Sequence, residues 1–297
     1  MMATPIPTLG DVPCVRCGYN LRSLRPEQSC PECGLGISRS LTLGQELRDS
    51  RPGWIASLAW AAALLLSAHA LVFFGFLVPG LIQPFLHDWD MANVIRGTIL
   101  VLAATAHCVG CWLLTQPENP HAAAQPHRHL AIPLRICCLG PLVSAGMGLA
   151  AALLIWWWFR YHPNLRLPNW LYGAVRALRE HSLYPLFLFV PCPLLQFVLL
   201  RRLAVRVLNR HLFEHATIVG CGFPVSLLLL IFPRYLNLNR FAGFYIVLLI
   251  CVAFALFWLW SLYVFALSAR AFFAAAREAR VAWRHADGAC PAAKLPS

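Results

Sequence analysis

An all-α transmembrane helical bundle of about six spans, headed by a small four-cysteine ribbon, is the fold class this sequence predicts, and three observations carry the prediction. Only 12% of the 297 residues are charged, roughly half the share of a soluble domain, and mean hydropathy is +0.63. Apolar stretches of about 20 residues, the length that crosses a hydrocarbon core, recur through residues 54–268. Ahead of them stand two C-x-x-C-G knuckles, Cys14-Val15-Arg16-Cys17-Gly18 and Cys30-Pro31-Glu32-Cys33-Gly34. A soluble globular enzyme is excluded by this composition.

Residues 1–36 form the head, with a loose Pro-containing lead before Cys14. Two residues between thiols let one tight turn aim both sulfurs at a single ion, and two such knuckles make a tetrahedral all-sulfur site that zinc fills best. The glycine after each second cysteine can take positive φ and turn backbone N–H groups toward the sulfurs. Iron is the less favoured alternative, because rubredoxin-type sites use similar knuckles with a much longer gap. With four cysteines no position remains for water or substrate, so Cys14, Cys17, Cys30 and Cys33 read as the ligands of a structural metal, which supplies most of the ribbon's folding energy.

Residues 37–53 are a polar connector, with a helix expected over Thr42–Asp49 and stopped by Pro52-Gly53. No apolar h-region precedes it, so the first span is expected to act as the insertion signal. Six spans are expected within 54–268: Trp54–Ile82, Val94–Thr115, Ile132–Phe159, Leu183–Leu200, Ala216–Phe232 and Phe241–Ser268. The fourth and fifth are the shortest. Between the third and fourth, Asn169 can cap a helix over Trp170–Glu180 whose apolar face (Trp170, Leu171, Ala174, Val175, Leu178) suits the membrane surface. Residues 269–297 continue the last span as an amphipathic helix and tail, where Phe272, Phe273 and Trp283 can dock on the membrane or the ribbon.

Net charge is +12, and 23 of the 24 basic residues are arginine. With the N-terminus in the cytoplasm, the inner segments hold six basic residues before 54, two in 116–135, four in 201–215 and five after 268, against seven outside. This asymmetry predicts both termini in the cytoplasm of a bacterial inner membrane and an even number of spans. A reducing cytosol also suits free thiolates. Trp156-Trp157-Trp158, Trp89 and Trp170 read as an outer interfacial belt.

Inside the spans, His69 and His107 are close enough in depth for a bis-histidine cofactor, or simply for hydrogen bonds to a neighbouring helix. Cys108-x-x-Cys111 and Cys137-Cys138 sit at similar depth, which permits a second thiolate site or a redox relay; cysteine is also an ordinary small buried residue. Cys192, Cys221, Cys251 and Cys290 carry no pattern. His121, His127 and His129 lie in a Pro-rich connector. Gly140, Ser144, Gly148 and Ala152 form a small-xxx-small face, for packing within the bundle or for a homo-oligomer seam. Pro185, Pro191 and Pro193 in the fourth span and Gly220, Gly222 and Pro224 in the fifth interrupt their helices, as transport sites do. Against transport, the spans hold no Asp, Glu or Lys. No nucleotide-binding, nucleophile-elbow or zincin signature is present, and the Glu214-His215 pair is too generic for catalysis.

The head from Cys14-Val-Arg-Cys-Gly-Tyr-Asn-Leu-Arg22 through Leu24 to Cys30-Pro-Glu-Cys-Gly34 resembles a bacterial group of zinc-ribbon multipass membrane proteins with a CxxCGYxLRxL…CPECG head. The resemblance covers residues 14–34 and implies the same four cysteines as ligands; it supplies no substrate. The expected role is non-enzymatic: a membrane-anchored interaction or regulatory module in the lipid bilayer whose ribbon docks a cytosolic protein. Arg16, Arg22 and Arg25 make the ribbon basic, but Tyr19 is the only stacking platform beside them, which disfavours nucleic acid. Transport of a small neutral or apolar solute and membrane redox chemistry are the alternatives.

Overall fold

The computed structural model describes residues 14, 17, 19–22, 24, 25, 27–37, 40, 47, 50–86, 89–118, 128–162, 165–181, 191–231 and 240–289. Beyond the ribbon the described residues are helical: α1 (Pro52–Leu86), α2 (Trp89–Leu114), α3 (Arg128–Cys137), α4 (Leu139–Tyr161), α5 (Asn169–His181), α6 (Pro191–Arg206), α7 (Arg210–Ile231) and α8 (Arg240–Ala289). Five segments are long and apolar enough to cross a membrane: Pro52–Gly75, Met91–Leu114, His129–Tyr161, Arg210–Leu229 and Tyr245–Arg284. The chain is a multipass membrane protein.

The expected fourth span, Leu183–Leu200, differs from the structure. Its second half falls in α6, which extends to Arg206. Residues 183–190 and the expected connector helix, Leu47 excepted, lie outside the described residues. Pro191 is the first described residue of α6. The 16 described residues of α6 are well enclosed: Cys192, Pro193, Gln196, Phe197, Leu199, Leu200, Leu203 and Ala204 are buried.

The path of the chain explains that burial. α1 packs against α2 and α8, α2 against α4, and α7 against α6 and α8. α4 leaves the end of the bundle that carries the ribbon, and α5 lies on its far half, with Leu171 and Val175 against Ala151, Ile155 and Trp158. α6 returns to the ribbon end. There Arg206 donates to Ser50 Oγ at 3.0 Å, pairs with Glu118 at 3.0 Å and covers the Trp54 ring. Trp54 Nε1 donates to Gln116 O at 2.9 Å, tying the start of α1 to the end of α2.

Local chemistry sets the irregularities. The expected third span divides at Cys138 because Pro141 has no N–H for the Cys137 carbonyl and its ring crowds that carbonyl; Cys138 N–H still bonds to Leu134 O at 3.0 Å. Arg135, one turn before the break, is held by Thr115 Oγ1 at 2.8 Å and Thr115 O at 3.0 Å, over the Trp112 ring. Gly110 lets α1 and α2 approach: a Cβ there would sit 2.9 Å from Leu65 Cγ. Gly222 does the same for α7 and α8, since a Cβ would overlap the Phe257 ring. The glycines of α7 therefore serve close packing in a continuous helix. By contrast, a Cβ at Gly148 would meet nothing within 4 Å, so the small-residue face of α4 is not packed against the described residues at that position.

α5 begins at Asn169, with Tyr172 N–H bonded to Pro168 O at 2.9 Å. Of its expected apolar face, Leu171, Val175 and Leu178 pack on α4, while Trp170 and Ala174 are exposed. α8 is one unbroken helix of 50 residues, about 75 Å at 1.5 Å per residue. Its residues 245–249 are exposed, Tyr245 at 67% and Leu249 at 70%, apolar surface of the kind a lipid environment covers. Its carboxy-terminal part reaches the ribbon.

Candidate metal centre

The ribbon is built from two turns that the knuckles dictate. Cys14 N–H bonds to Tyr19 O at 2.7 Å, Cys30 N–H to Leu35 O at 2.7 Å and Gly34 N–H to Cys30 O at 2.8 Å. Gly34 has φ of 71°, the left-handed conformation that a side chain would strain; Gly18 lies outside the described residues. An antiparallel bridge between Ser29 and Gly36, with Ile37 N–H bonded to Gln28 O at 2.8 Å, closes the second knuckle into a hairpin. Cys14, Leu21, Cys30, Leu35 and Ile37 form the ribbon's small buried core.

The four sulfurs converge. Cys14 and Cys33 Sγ are 3.6 Å apart, as are Cys17 and Cys30 Sγ, and all four atoms lie within 4.8 Å of one another. Tetrahedral Zn–S bonds of about 2.3 Å place sulfurs about 3.8 Å apart, so the set is already close to the shape of a zinc centre. Burial pushes the Cys33 thiol up from its ordinary value of 9.0, with the neighbouring thiols adding to the shift. Crowded thiolates need a cation, and a divalent ion on all four would stabilise the charged forms. The chain thus carries an N-terminal four-cysteine metal-binding cluster. Arg22 and Arg25 are exposed beside it, and Arg16 lies outside the described residues.

The ribbon does not stand alone. Trp283 of α8 packs against the ribbon core and against the bundle core. Phe272 is buried in the bundle, and Phe273 meets the Trp60 ring edge-to-face at 5.6 Å. Of the three aromatic residues expected to dock, Trp283 is the one that reaches the ribbon.

The intramembrane residues fall into a second grouping. His69 and His107 come together, their ring centroids 5.8 Å apart. His69 Nδ1 is 2.8 Å from Leu65 O, and its ring is enclosed by Trp258 and Phe265 at 4.8 and 4.9 Å. Cys108 Sγ lies 3.5 Å from Cys138 Sγ, and Cys138 Sγ is also 3.0 Å from Arg135 O. Cys111 lies beside Cys138 as well and links this pair to a further cluster. Its sulfur, His107 and Cys192 place one donor atom each within 4.8 Å of the others, all three residues buried. Gln196 completes the group, with Nε2 at 2.9 Å from Cys111 Sγ and 3.0 Å from His107 Nε2.

Comparison with known proteins adds no relative. No family model, curated protein or solved structure matches the chain.

Cys192 corrects the expectation that it carries no pattern, and Gln196 was not singled out at all. The signal was a pair of i, i+4 spacings, His107/Cys111 on α2 and Cys192/Gln196 on α6, each putting two donors on one helix face. Cys137 is buried in the bundle core. His129 is exposed at the start of α3, and His121 and His127 lie outside the described residues. Glu214 pairs with Arg210 at 2.7 Å, and Trp260 Nε1 donates to His215 Nδ1 at 3.3 Å. Both side chains thus serve local packing.

Proposed function

We propose that this chain is a non-enzymatic, membrane-anchored interaction module whose zinc ribbon, held by Cys14, Cys17, Cys30 and Cys33, presents a basic surface to an acidic cytosolic protein. The observation that carries the reading is the position of Trp283, shared between the ribbon core and the bundle core. It makes the ribbon a fixed head on the longest helix rather than a tethered one. Around this junction Arg22, Arg25, Arg277, Arg280 and Arg284 are exposed, against Glu27, Glu32 and Glu278. A surplus of arginine next to a rigid platform favours carboxylate-rich partners and speeds their encounter.

The same contact bears on topology. The ribbon precedes the first span and Trp283 follows the last, so a shared contact puts both on one side of the membrane and requires an even number of crossings. With five long spans among the described residues, an even number needs one further crossing. The arginine asymmetry then favours the cytoplasm for that side.

The test is a photo-crosslinking residue at Tyr19 in living cells. The expected result is one discrete protein adduct, lost in Cys14→Ser/Cys33→Ser and weakened in Arg280→Glu/Arg284→Glu. Adducts to lipid alone, or a protein adduct indifferent to both variants, would overturn the docking reading.

A further inference from the structure

We propose that His107, Cys111 and Cys192, completed by the Gln196 amide, form a second metal site inside the bundle, for a thiophilic divalent cation best matched by zinc. Geometry comes first. Cys192 Sγ lies 3.5 Å from His107 Nε2, and tetrahedral zinc holds a thiolate sulfur and an imidazole nitrogen about 3.6 Å apart. Gln196 Nε2 lies 3.0 Å from His107 Nε2, so that ring nitrogen faces the cluster, as a ligand atom must.

Gln196 supplies the second observation. It is fully buried, and its Oε1 has no hydrogen-bond partner among the described residues. A buried acceptor left unsatisfied is costly. The two ends of an amide have the same shape. Turned by 180°, the amide brings Oε1 to the place now held by Nε2, about 3 Å from both His107 Nε2 and Cys111 Sγ, as a fourth donor. The cation gives that oxygen its partner.

Charge selects the ion. Binding one divalent zinc to two thiols forms two Zn–S bonds and releases two protons; the imidazole and the amide stay neutral. The loaded site has net charge zero, which suits a membrane interior that penalises any residual charge. A monovalent ion on two thiolates would leave one negative charge, and magnesium or calcium would require a shell of oxygen ligands, where the site offers one. The donors sit on two rigid helices, the usual construction of metal sites in bundles. His69, Phe265 and Trp258 close off one side. With four protein donors the ion is a clamp between α2 and α6, not a catalyst.

The experiment is metal content and zinc X-ray absorption of the full chain in detergent. Two zinc ions per chain are expected, falling to one in Cys14→Ser/Cys33→Ser and to one in Cys111→Ser/Cys192→Ser. The zinc left in the ribbon variant should show two sulfur and two nitrogen or oxygen neighbours. The zinc left in the bundle variant should show four sulfurs. A single all-sulfur zinc in the wild type, unchanged by Cys111→Ser/Cys192→Ser, would overturn the proposal. So would a ribbon variant with its helices intact that takes up no zinc, a reading that needs no substitution in the bundle. Uptake of monovalent copper with zinc refused would overturn the choice of ion.

Discussion

The ribbon and the bundle interior each gather thiols around one point, but over different distances along the chain and in different surroundings. In the ribbon the four cysteines lie within 20 residues of one another, and tight turns set the geometry. In the bundle, His107 and Cys192 are 85 residues apart, and helix packing sets it. Four thiolates on a zinc ion leave two negative charges, tolerable beside exposed Arg22 and Arg25 at a wet surface. Two thiolates leave none, which the bundle interior requires. The lesson is that thiolate count follows dielectric: the more apolar the surroundings, the closer to zero the assembled charge must be.

The largest expected effect follows from the ribbon's small core. Zinc contributes about 10–16 kcal/mol to small zinc-dependent folds, far more than so few buried side chains can. In Cys14→Ser/Cys33→Ser the ribbon should unfold while α1–α8 stay helical. Limited proteolysis should then cut ahead of Pro52 and leave the bundle whole, with helical circular dichroism nearly unchanged. Loss of helix signal together with the ribbon would show that head and bundle are one folding unit.

Acidity should separate the two sites next. Burial holds the metal-free Cys33 thiol above 9.0. Without metal its contribution to stability is present below that value and is lost as pH rises through the folded value. With metal the sign reverses, since zinc must displace thiol protons and is released as pH falls. Four thiols in the ribbon make zinc affinity fall by up to about 10⁴-fold per pH unit below neutrality, and two in the bundle by up to about 100-fold. Zinc release followed from about pH 7 down to about pH 5 should therefore show the ribbon ion leaving along the steeper curve. Equal slopes would contradict the two-thiol assignment.

A smaller effect is expected at the junction. Trp283→Ala removes a half-buried indole shared by the two cores, worth about 1–3 kcal/mol. The variant should keep its ribbon zinc, yet protease should release the head from the bundle more readily, because the head is undocked rather than unfolded. Loss of zinc in Trp283→Ala would mean that the ribbon needs the bundle to form its metal cluster.

How much was legible in advance depended on sequence separation. The knuckles could be read directly, because Gly34 with φ of 71° and the Cys30–Leu35 hydrogen bond are local turns. Five of the spans were legible as long apolar runs, and α8 runs on past Ser268 to Ala289. The break at Cys138 was not legible, although Pro141 marks it, since a proline within an apolar run fits a tolerated kink equally well. Cys192 and Gln196 could not be assigned, because nothing in the sequence says which helix faces α2.

The amino-acid sequence by itself therefore determined the membrane bundle, the four-cysteine head and its candidate ligands. Each rests on composition or on bonds between near neighbours, which need no knowledge of the rest of the chain. Tertiary structure alone decided that α6 is enclosed, that Trp283 seats the ribbon on α8, and that His107, Cys111, Cys192 and Gln196 meet. Those depend on which helices pack together. In a bundle whose helices are apolar on nearly every side, that choice is made by small residues at close approaches, such as Gly110 against Leu65, and by buried polar groups that must find one another.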